Sequence, residues 1–268
     1  ITSNDGGDEA SISIAENSSA VTTVTATDPD DEAVQEYKIV GGADAALFKI
    51  DEASGVLSFI AAPNFEAPGD AGTDNVYDVV VQVWDGLAGD TQTLHVTVTD
   101  VNEQPGAGAD FAVKADENVS DAAVLATVVG SDPDLGGGND GDNDFENLTY
   151  AIAPGGDPSG LFEIDATTGE VSLKTGAAFD FETTQSYVVT VRVSDGLGLF
   201  DDTKVTINIT DVNETPSAAS DFAVKADEDV SDTAVLATVA GSDPDLGGGN
   251  DGDNDFEDLT YPIAPRRD

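Results

Sequence analysis

The chain has 268 residues, of which 54 are acidic and 9 basic, so its formal net charge at pH 7 is −45. This charge disfavours nucleic acids and anionic membranes as partners, because their phosphate groups would repel the protein. The sequence contains no cysteine and one histidine, which excludes disulfides and thiolate metal sites and leaves zinc and haem without their usual ligands.

Seven short segments near the start of the chain have the alternation of half-buried strands. They lie near residues 10–15, 19–27, 35–40, 46–50, 55–60, 76–84 and 91–99. No segment has a convincing helical period. Seven strands in about 100 residues predict a β-sandwich of immunoglobulin-like architecture. We expect its core to contain Ile14, Val24, Ile39, Phe48, Leu57, Phe65, Tyr77, Val81 and Val96.

The same pattern recurs along the chain. Residues 110–154 and 221–265 differ at only 5 of 45 positions, which indicates a recent duplication of a unit 111 residues long. A diverged earlier copy matches the second unit in two segments: its LFKID corresponds to LFEID, and its YDVVVQVWDG corresponds to YVVTVRVSDG. We therefore predict three units, at residues 1–103, 104–214 and 215–268.

The third unit differs from the other two because the sequence that would form its last four strands is missing. We predict its strands near 222–226, 233–241 and 258–263 and expect residues 215–268 to be poorly packed. No stretch approaches the roughly 20 apolar residues of a membrane span. The chain begins with Ile1 and no signal peptide precedes it, so we expect a segment of a longer protein.

Acidic side chains gather where strands end. In the first unit these are Glu16, Asp28, Asp30, Glu66, Asp85, Asp100 and Glu103, and in the second they are Glu117, Asp132, Asp134, Asp180, Glu182, Asp195, Asp211 and Glu214. One interpretation is an acidic, solvated surface. We favour a second, because converging carboxylates repel one another and 9 basic residues cannot neutralise them. A hard cation with six to eight oxygen ligands can, which describes Ca²⁺.

Five motifs in this order resemble tandem cadherin repeats, in the variant found in large bacterial surface proteins. They are AEN (15–17), DPD (28–30 and 132–134), DFE (180–182), SDG (194–196) and DVNE (100–103 and 211–214). The resemblance covers nearly the whole chain. It implies a linear array of seven-stranded, cadherin-type β-sandwiches with Ca²⁺ at each junction between repeats.

The resemblance also implies the ligands. The first junction would use Glu16, Glu66, Asp100, Asn102 and Glu103 from one repeat and Asp132, Asp134 and Asp195 from the next. The second would use Glu117, Asp180, Glu182, Asp211, Asn213 and Glu214 with Asp243 and Asp245. Two or three ions per junction are expected. Two departures from the family are Glu103 and Glu214, where the linker commonly has Asp, and Asn64, where the second unit has Asp180. We expect the latter to weaken the first junction.

Two insertions carry further acids. GGGNDGDNDFE (136–146, again 247–257) contains Asp140, Asp142, Asp144 and Glu146, and it partly resembles calcium loops without fitting either an EF-hand or a nonapeptide repeat. It is either an additional calcium site or a mobile acidic loop. FEAPGDAGTDN (65–75) offers Asp70 and Asp74 as weaker candidates.

These patterns predict a non-enzymatic, extracellular spacer or adhesive segment of a bacterial surface protein, whose partners are calcium ions and, in addition, other repeats or surface glycans. One alternative is a carbohydrate-binding sandwich with Trp84 as its platform, although a plain surface aromatic is favoured there. Another is a disordered calcium buffer that folds on secretion. His95 is expected to face solvent because it alternates with Leu94 and Val96.

Overall fold

The computed structural model describes residues 1–28, 35–135, 147–218, 220, 223–225, 227–229, 231 and 235–244. The chain forms two compact units. The first contains residues 1–105, 132–147 and 195–199, and the second contains residues 106–131, 148–194 and 200–268.

The first unit contains seven strands. They are β1 (Glu9–Ala15), β2 (Ala20–Thr23), β3 (Glu36–Gly41), β4 (Phe48–Ile50), β5 (Val56–Phe59), β6 (Val76–Trp84) and β7 (Gly89–Thr99), with 3₁₀ turns at Asn4–Gly6 and Ala45–Leu47. One sheet has the order β1-β7-β6-β3 and the other has the order β2-β5-β4. Strand β1 runs parallel to β7, whereas the remaining neighbours are antiparallel.

The second unit repeats this arrangement. The strands of its sandwich are β8 (Phe111–Asp116), β9 (Ala126–Thr127), β10 (Thr149–Ile152), β11 (Phe162–Ile164), β12 (Glu170–Leu173), β13 (Ser186–Ser194) and β14 (Phe200–Thr210). The sheets are β10-β13-β14-β8 and β11-β12-β9, and β8 is again parallel to β14. The predicted all-β fold of tandem seven-stranded sandwiches is therefore confirmed.

The core of the first unit lies where the two sheets face each other. Along β6, Tyr77, Val79, Val81 and Val83 are buried while the residues between them are partly exposed. Each such burial contributes about 1.5–3 kcal/mol relative to the exposed side chain. Of the nine core residues predicted for this unit, six are buried. The other three, which pack partly buried at its edge, are Ile14, Ile39 and Phe65.

A glycine closes the same turn in both units. Gly55 and Gly169 each have φ +71°, in the left-handed region that a side chain disfavours. A Cβ on Gly55 would lie 2.2 Å from the carbonyl oxygen of Val24, and a Cβ on Gly169 would lie 2.3 Å from that of Val128. The turn and the strand that follows it can therefore approach the sheet only with glycine at this position.

Few of the residues predicted to form the third unit lie in the described part of the chain. Residues 223–225 do not form the strand predicted over 222–226, and Gly241–Ser242 (β16) pairs with Ser217–Ala218 (β15) in a two-stranded ladder. None of the described residues from 215 to 244 is buried. The strand predicted near 258–263 lies outside the described residues. Within the described ranges, no helix is long and apolar enough to span a membrane.

Candidate metal centre

Eight oxygen-bearing side chains come together at one end of the first unit. We call this set the first acidic cluster, which consists of Glu16, Glu66, Asp100, Asn102, Glu103, Asp132, Asp134 and Asp195. Each follows a strand or lies in the loop after it, and all eight belong to the same compact unit. The structure thus brings together the whole set that the sequence assigned to the first junction.

Glu16 anchors the cluster to the backbone. It is 3% exposed, and its two carboxylate oxygens accept hydrogen bonds from the main-chain N–H groups of Phe65 (2.9 Å) and Val101 (3.0 Å). Such bonds to an ionised acceptor are stronger than neutral ones. Glu16 therefore fixes two segments that carry other members of the cluster, those of Glu66 and Asp100.

Glu66 is shared by two groups of carboxylates. Its oxygens lie within 4.8 Å of those of Glu16 and Asp100 in one group, and of those of Glu103 and Asp134 in the other. Burial, together with repulsion from Glu16, Glu103 and Asp100, raises the pKa of Glu66 to about 7. One of its oxygens, Oε2, is buried without a hydrogen-bond partner in the described part of the chain.

Hydrogen bonds connect the linker residues Asn102 and Glu103 to the loops that carry Asp195 and Asp134. The Asn102 amide donates to Asp195 Oδ2 at 2.8 Å, and the Glu103 main-chain N–H donates to Asp134 Oδ2 at 2.9 Å. Although burial opposes ionisation of Asp195, hydrogen bonds from Asn102 and from the backbone of its own loop hold its pKa below the ordinary value. Burial raises the pKa of Glu103, and repulsion from Glu16 and Asp134 adds to this effect.

Two aspartates give the strongest indication that this cluster can hold a cation. Asp132 is 8% exposed and Asp134 is 4% exposed. One oxygen of each, Oδ2 of Asp132 and Oδ1 of Asp134, has no hydrogen-bond partner among the residues the structure describes. Burial and the neighbouring Asp134 and Asp195 raise the pKa of Asp132 to about 6. Buried, unpaired carboxylate oxygens are costly unless a cation or proton neutralises them, so this donor set fits a hard cation.

The second unit repeats the anchor and part of the cluster. Glu117 is 5% exposed, and its two oxygens accept from the N–H groups of Phe181 (2.9 Å) and Val212 (2.7 Å). Carboxylate oxygens of Glu117, Glu182 and Asp211 lie within 4.8 Å of one another. This second acidic cluster has the same residue types and anchor as the group of Glu16, Glu66 and Asp100.

Other predicted ligands are not brought into these groups. Asp180 is exposed, and its Oδ1 accepts from the Thr183 N–H, just as Asn64 Oδ1 accepts from the Ala67 N–H. Both residues therefore make the same turn-capping contact, and the expectation that Asn64 weakens the first junction stays a prediction. Asn213 is exposed and donates to its neighbour's carbonyl, and Asp243 lies in none of the close groups.

The remaining predicted ligands lie elsewhere or cannot be placed. Asp28 and Asp85 share a hydrogen bond in a separate loop pair, where the backbone N–H groups of Ala88 and Leu87 lower the pKa of Asp85. Asp30 and Asp245 lie outside the described residues, as do the insertion acids Asp140, Asp142, Asp144 and Glu146.

The insertion at 65–75 is organised differently from the prediction. Asp70 is 4% exposed, and its two oxygens accept from the N–H groups of Asp74 and Asn75. Although burial opposes its ionisation, these hydrogen bonds lower the pKa of Asp70. Asp74 in turn accepts from the Val76 N–H. These acids shape the loop, and the calcium role considered for them is not supported by their contacts.

Sequence reasoning missed Asn17, whose side-chain amide donates to Glu103 Oε1 at 2.5 Å. The available signal was its position directly after Glu16 in the AEN motif. The outer-face prediction for His95 is correct, since its Nδ1 contacts Asp78 Oδ1 at 2.6 Å with both side chains partly exposed. Trp84 is neither buried nor fully exposed.

Comparisons with known proteins agree with this geometry. The cadherin domain family matches residues 10–101 and 111–210. Human protocadherin Fat 4 is 30% identical over 254 residues, covering 92% of this chain and 5% of that protein. Mouse cadherin-9 is 30% identical over 253 residues, covering 84% of this chain and 30% of that protein. The chain thus spans a small part of these relatives. Both are animal proteins, which gives no support to a bacterial origin.

Solved structures show the same fold. A crystal structure of mouse cadherin-23 EC22-24 is similar with a TM-score of 0.60 and 18% identity, covering 90% of this chain and 77% of that one. A protocadherin gammaB7 EC3-6 cis-dimer structure is similar with a TM-score of 0.54 and 20% identity, covering 90% of this chain and 55% of that one. At these identities the likeness concerns the fold alone.

Proposed function

This chain belongs to the cadherin domain family, and from that premise we propose that it binds calcium at its two acidic clusters as a structural and adhesive segment. Cadherin domains are extracellular, non-enzymatic adhesion modules that characteristically bind calcium at repeat junctions. The chain is accordingly not an enzyme.

The buried oxygens of Asp132 and Asp134 that lack a hydrogen-bond partner in the described residues carry the calcium proposal. The donor set is entirely carboxylate and amide oxygen, which hard cations prefer. Since Glu66 belongs to two overlapping groups, we assign it as a ligand shared by two ions. Glu16 and Asp100 would complete one of these sites, and Glu103 and Asp134 the other. Few basic residues are present to neutralise these carboxylates, so a bound ion would supply the positive charge.

Calcium would join parts of the sequence that are far apart. In the predicted division into repeats, the ligands of the first cluster would come from the end of one repeat, from the linker and from loops of the next repeat, such as that of Asp195. Ions bound at this cluster would restrict rotation at the linker, and this stiffening between successive repeats is part of the proposal. We expect a dissociation constant of about 10⁻⁴–10⁻³ M, as in other extracellular modules.

The partners proposed are calcium and other cadherin-type repeats, including a second copy of the chain. The protocadherin gammaB7 repeats form a cis-dimer, and this precedent motivates self-association as part of the proposal. Glycan binding at Trp84 has no support from the comparisons. Attachment to a bacterial cell surface stays a prediction from the sequence, as does the division into repeats at 1–103, 104–214 and 215–268.

Small-angle scattering with and without calcium tests the proposal. We expect the chain to become stiffer and to melt at a higher temperature with calcium than with chelator. Asp100→Ala combined with Asp134→Ala should remove most of the effect at the first cluster. Glu52→Ala combined with Glu163→Ala, which removes two exposed carboxylates elsewhere, serves as the charge-matched control. Identical curves and melting temperatures in calcium and chelator would contradict the proposal.

A further inference from the structure

Glu103 occupies a linker position for which the family resemblance predicts aspartate, and hydrogen bonds hold both its backbone and its side chain. Its main-chain N–H donates to Asp134 Oδ2 at 2.9 Å, and its Oε1 accepts from the Asn17 amide at 2.5 Å. Its other oxygen, Oε2, is buried without a hydrogen-bond partner within the described ranges. A carboxylate oxygen of Glu103 lies within 4.8 Å of carboxylate oxygens of Glu66 and Asp134.

Asn17 is itself fixed by the backbone. It has φ +58°, a left-handed conformation that asparagine tolerates better than most residues. Its main-chain N–H donates to the Pro63 carbonyl at 3.0 Å. This conformation directs the Asn17 side chain towards Glu103 in the linker. The amide is thus placed by a turn that directly follows β1 and is held by this backbone hydrogen bond.

A glutamate has one more rotatable bond than an aspartate, and ordering that bond costs conformational entropy. A hydrogen bond to one carboxylate oxygen removes this freedom before an ion arrives. We propose that Asn17 is a positioning residue for the calcium site: by holding Oε1 of Glu103 it presents Oε2 to the cation and so allows glutamate to replace aspartate. This inference rests on the calcium-binding function proposed above.

Asn17→Gly is the appropriate variant because glycine adopts a positive φ freely, so the amide is lost without backbone strain. Thr73→Gly is the matched control, since Thr73 also has a positive φ (+54°) and is exposed in a loop of the same unit. Glu103→Asp tests the dependence on side-chain length. The double variant Asn17→Gly with Glu103→Asp completes the cycle, because two residues that act through each other are not additive.

The measurement is a calcium titration of the full chain followed by ¹H–¹⁵N spectra, with the Asn102 side-chain amide as the probe of the first cluster. Loss of an outer-shell partner typically weakens metal binding about 10–100-fold. We expect Asn17→Gly to weaken calcium binding at this site about tenfold or more, Thr73→Gly to leave it unchanged, and Asn17→Gly to add nothing once Glu103→Asp is present.

Each other outcome overturns the inference. Additive losses in the double variant would mean that Asn17 does not act through Glu103. Tighter calcium binding in Asn17→Gly would mean that the amide competes with the ion. In both of these cases the wild-type chain still binds calcium, so the proposed function would stand. If the wild-type Asn102 signal did not respond to calcium at all, the proposed function and this inference would fall together.

Discussion

Replacing Glu66 by glutamine should have opposite effects on the first unit with and without calcium. In chelator, Glu66 is a carboxylate held among Glu16, Asp100 and Glu103, and its pKa rises from 4.5 to about 7. Above that pH the folded unit must hold Glu66 ionised, which lowers its stability relative to the unfolded chain. Because a neutral amide carries no such penalty, Glu66→Gln should stabilise the calcium-free unit at about pH 8.

The size of this effect follows from the pKa. At about 1.4 kcal/mol per pH unit, the rise from 4.5 to about 7 corresponds to roughly 3 kcal/mol. Because Glu66 is partly exposed, solvent screening reduces this to about 1–2 kcal/mol. For a unit of roughly 100 residues, each kcal/mol raises the melting temperature by about 4–8 °C.

Thermal unfolding followed by fluorescence of Trp84 is the assay, because the single tryptophan lies in the first unit. With calcium, Glu66→Gln removes a ligand that two sites share, so calcium should raise the melting temperature less than in the wild type. Glu9→Gln, the same change at an exposed position of β1, should have little effect in either condition. A lower melting temperature for Glu66→Gln in chelator would refute the reasoning.

Three further predictions concern pH, the second unit and the turn glycine. In chelator, the stability of the first unit should fall as pH rises from about 4 to about 7. The folded-state pKa values of Glu66 (about 7) and Asp132 (about 6) lie above their unfolded values, so the folded state binds more protons in that range. Urea unfolding at several pH values checks this, and a flat profile would contradict it. Glu117→Gln should lower the free energy of unfolding of the second unit by about 1.5–3 kcal/mol in chelator. The carboxylate accepts hydrogen bonds from two backbone N–H groups, and the amide nitrogen of glutamine cannot accept one of them. Circular dichroism during denaturation measures this loss, and an unchanged midpoint would exclude the anchor role. Gly55→Ala should destabilise the first unit by more than Gly86→Ala. Both glycines have positive φ, but only a Cβ on Gly55 would lie 2.2 Å from a carbonyl oxygen. Equal losses of stability in tryptophan-monitored unfolding would show that the close approach is unimportant.

The strands and the site region of this protein could be predicted from the sequence because both follow from simple periodic rules. Of the core residues predicted from the sequence, Tyr77 and Val81 lie in the alternating segment 76–84, and the structure buries both. Acids at strand ends must gather at an end of a sandwich, because neighbouring strands finish there. This geometric rule led to Glu16, Glu66 and Asp100 without knowledge of any loop conformation.

The roles of individual loop residues could not be predicted in the same way. Asp180 and Asp70 are carboxylates in acidic loops, but their hydrogen bonds go to nearby backbone N–H groups. Whether a carboxylate caps its own loop or points into a shared site depends on local φ and ψ values, which composition and spacing do not specify. The amide of Asn17 was missed for the same reason, because its direction depends on a left-handed backbone conformation.

Calcium binding at the first acidic cluster can be tested by counting bound ions by equilibrium dialysis, in the wild-type chain and in Asp134→Asn. Asparagine keeps an oxygen to accept the Glu103 N–H, while the substitution removes the negative charge and places an amide where a carboxylate oxygen stood. At about 1–10 mM free calcium we expect the wild-type chain to bind calcium and the variant to bind fewer ions. A wild-type chain that binds no calcium in this range, or a variant that binds as many ions, would contradict the account.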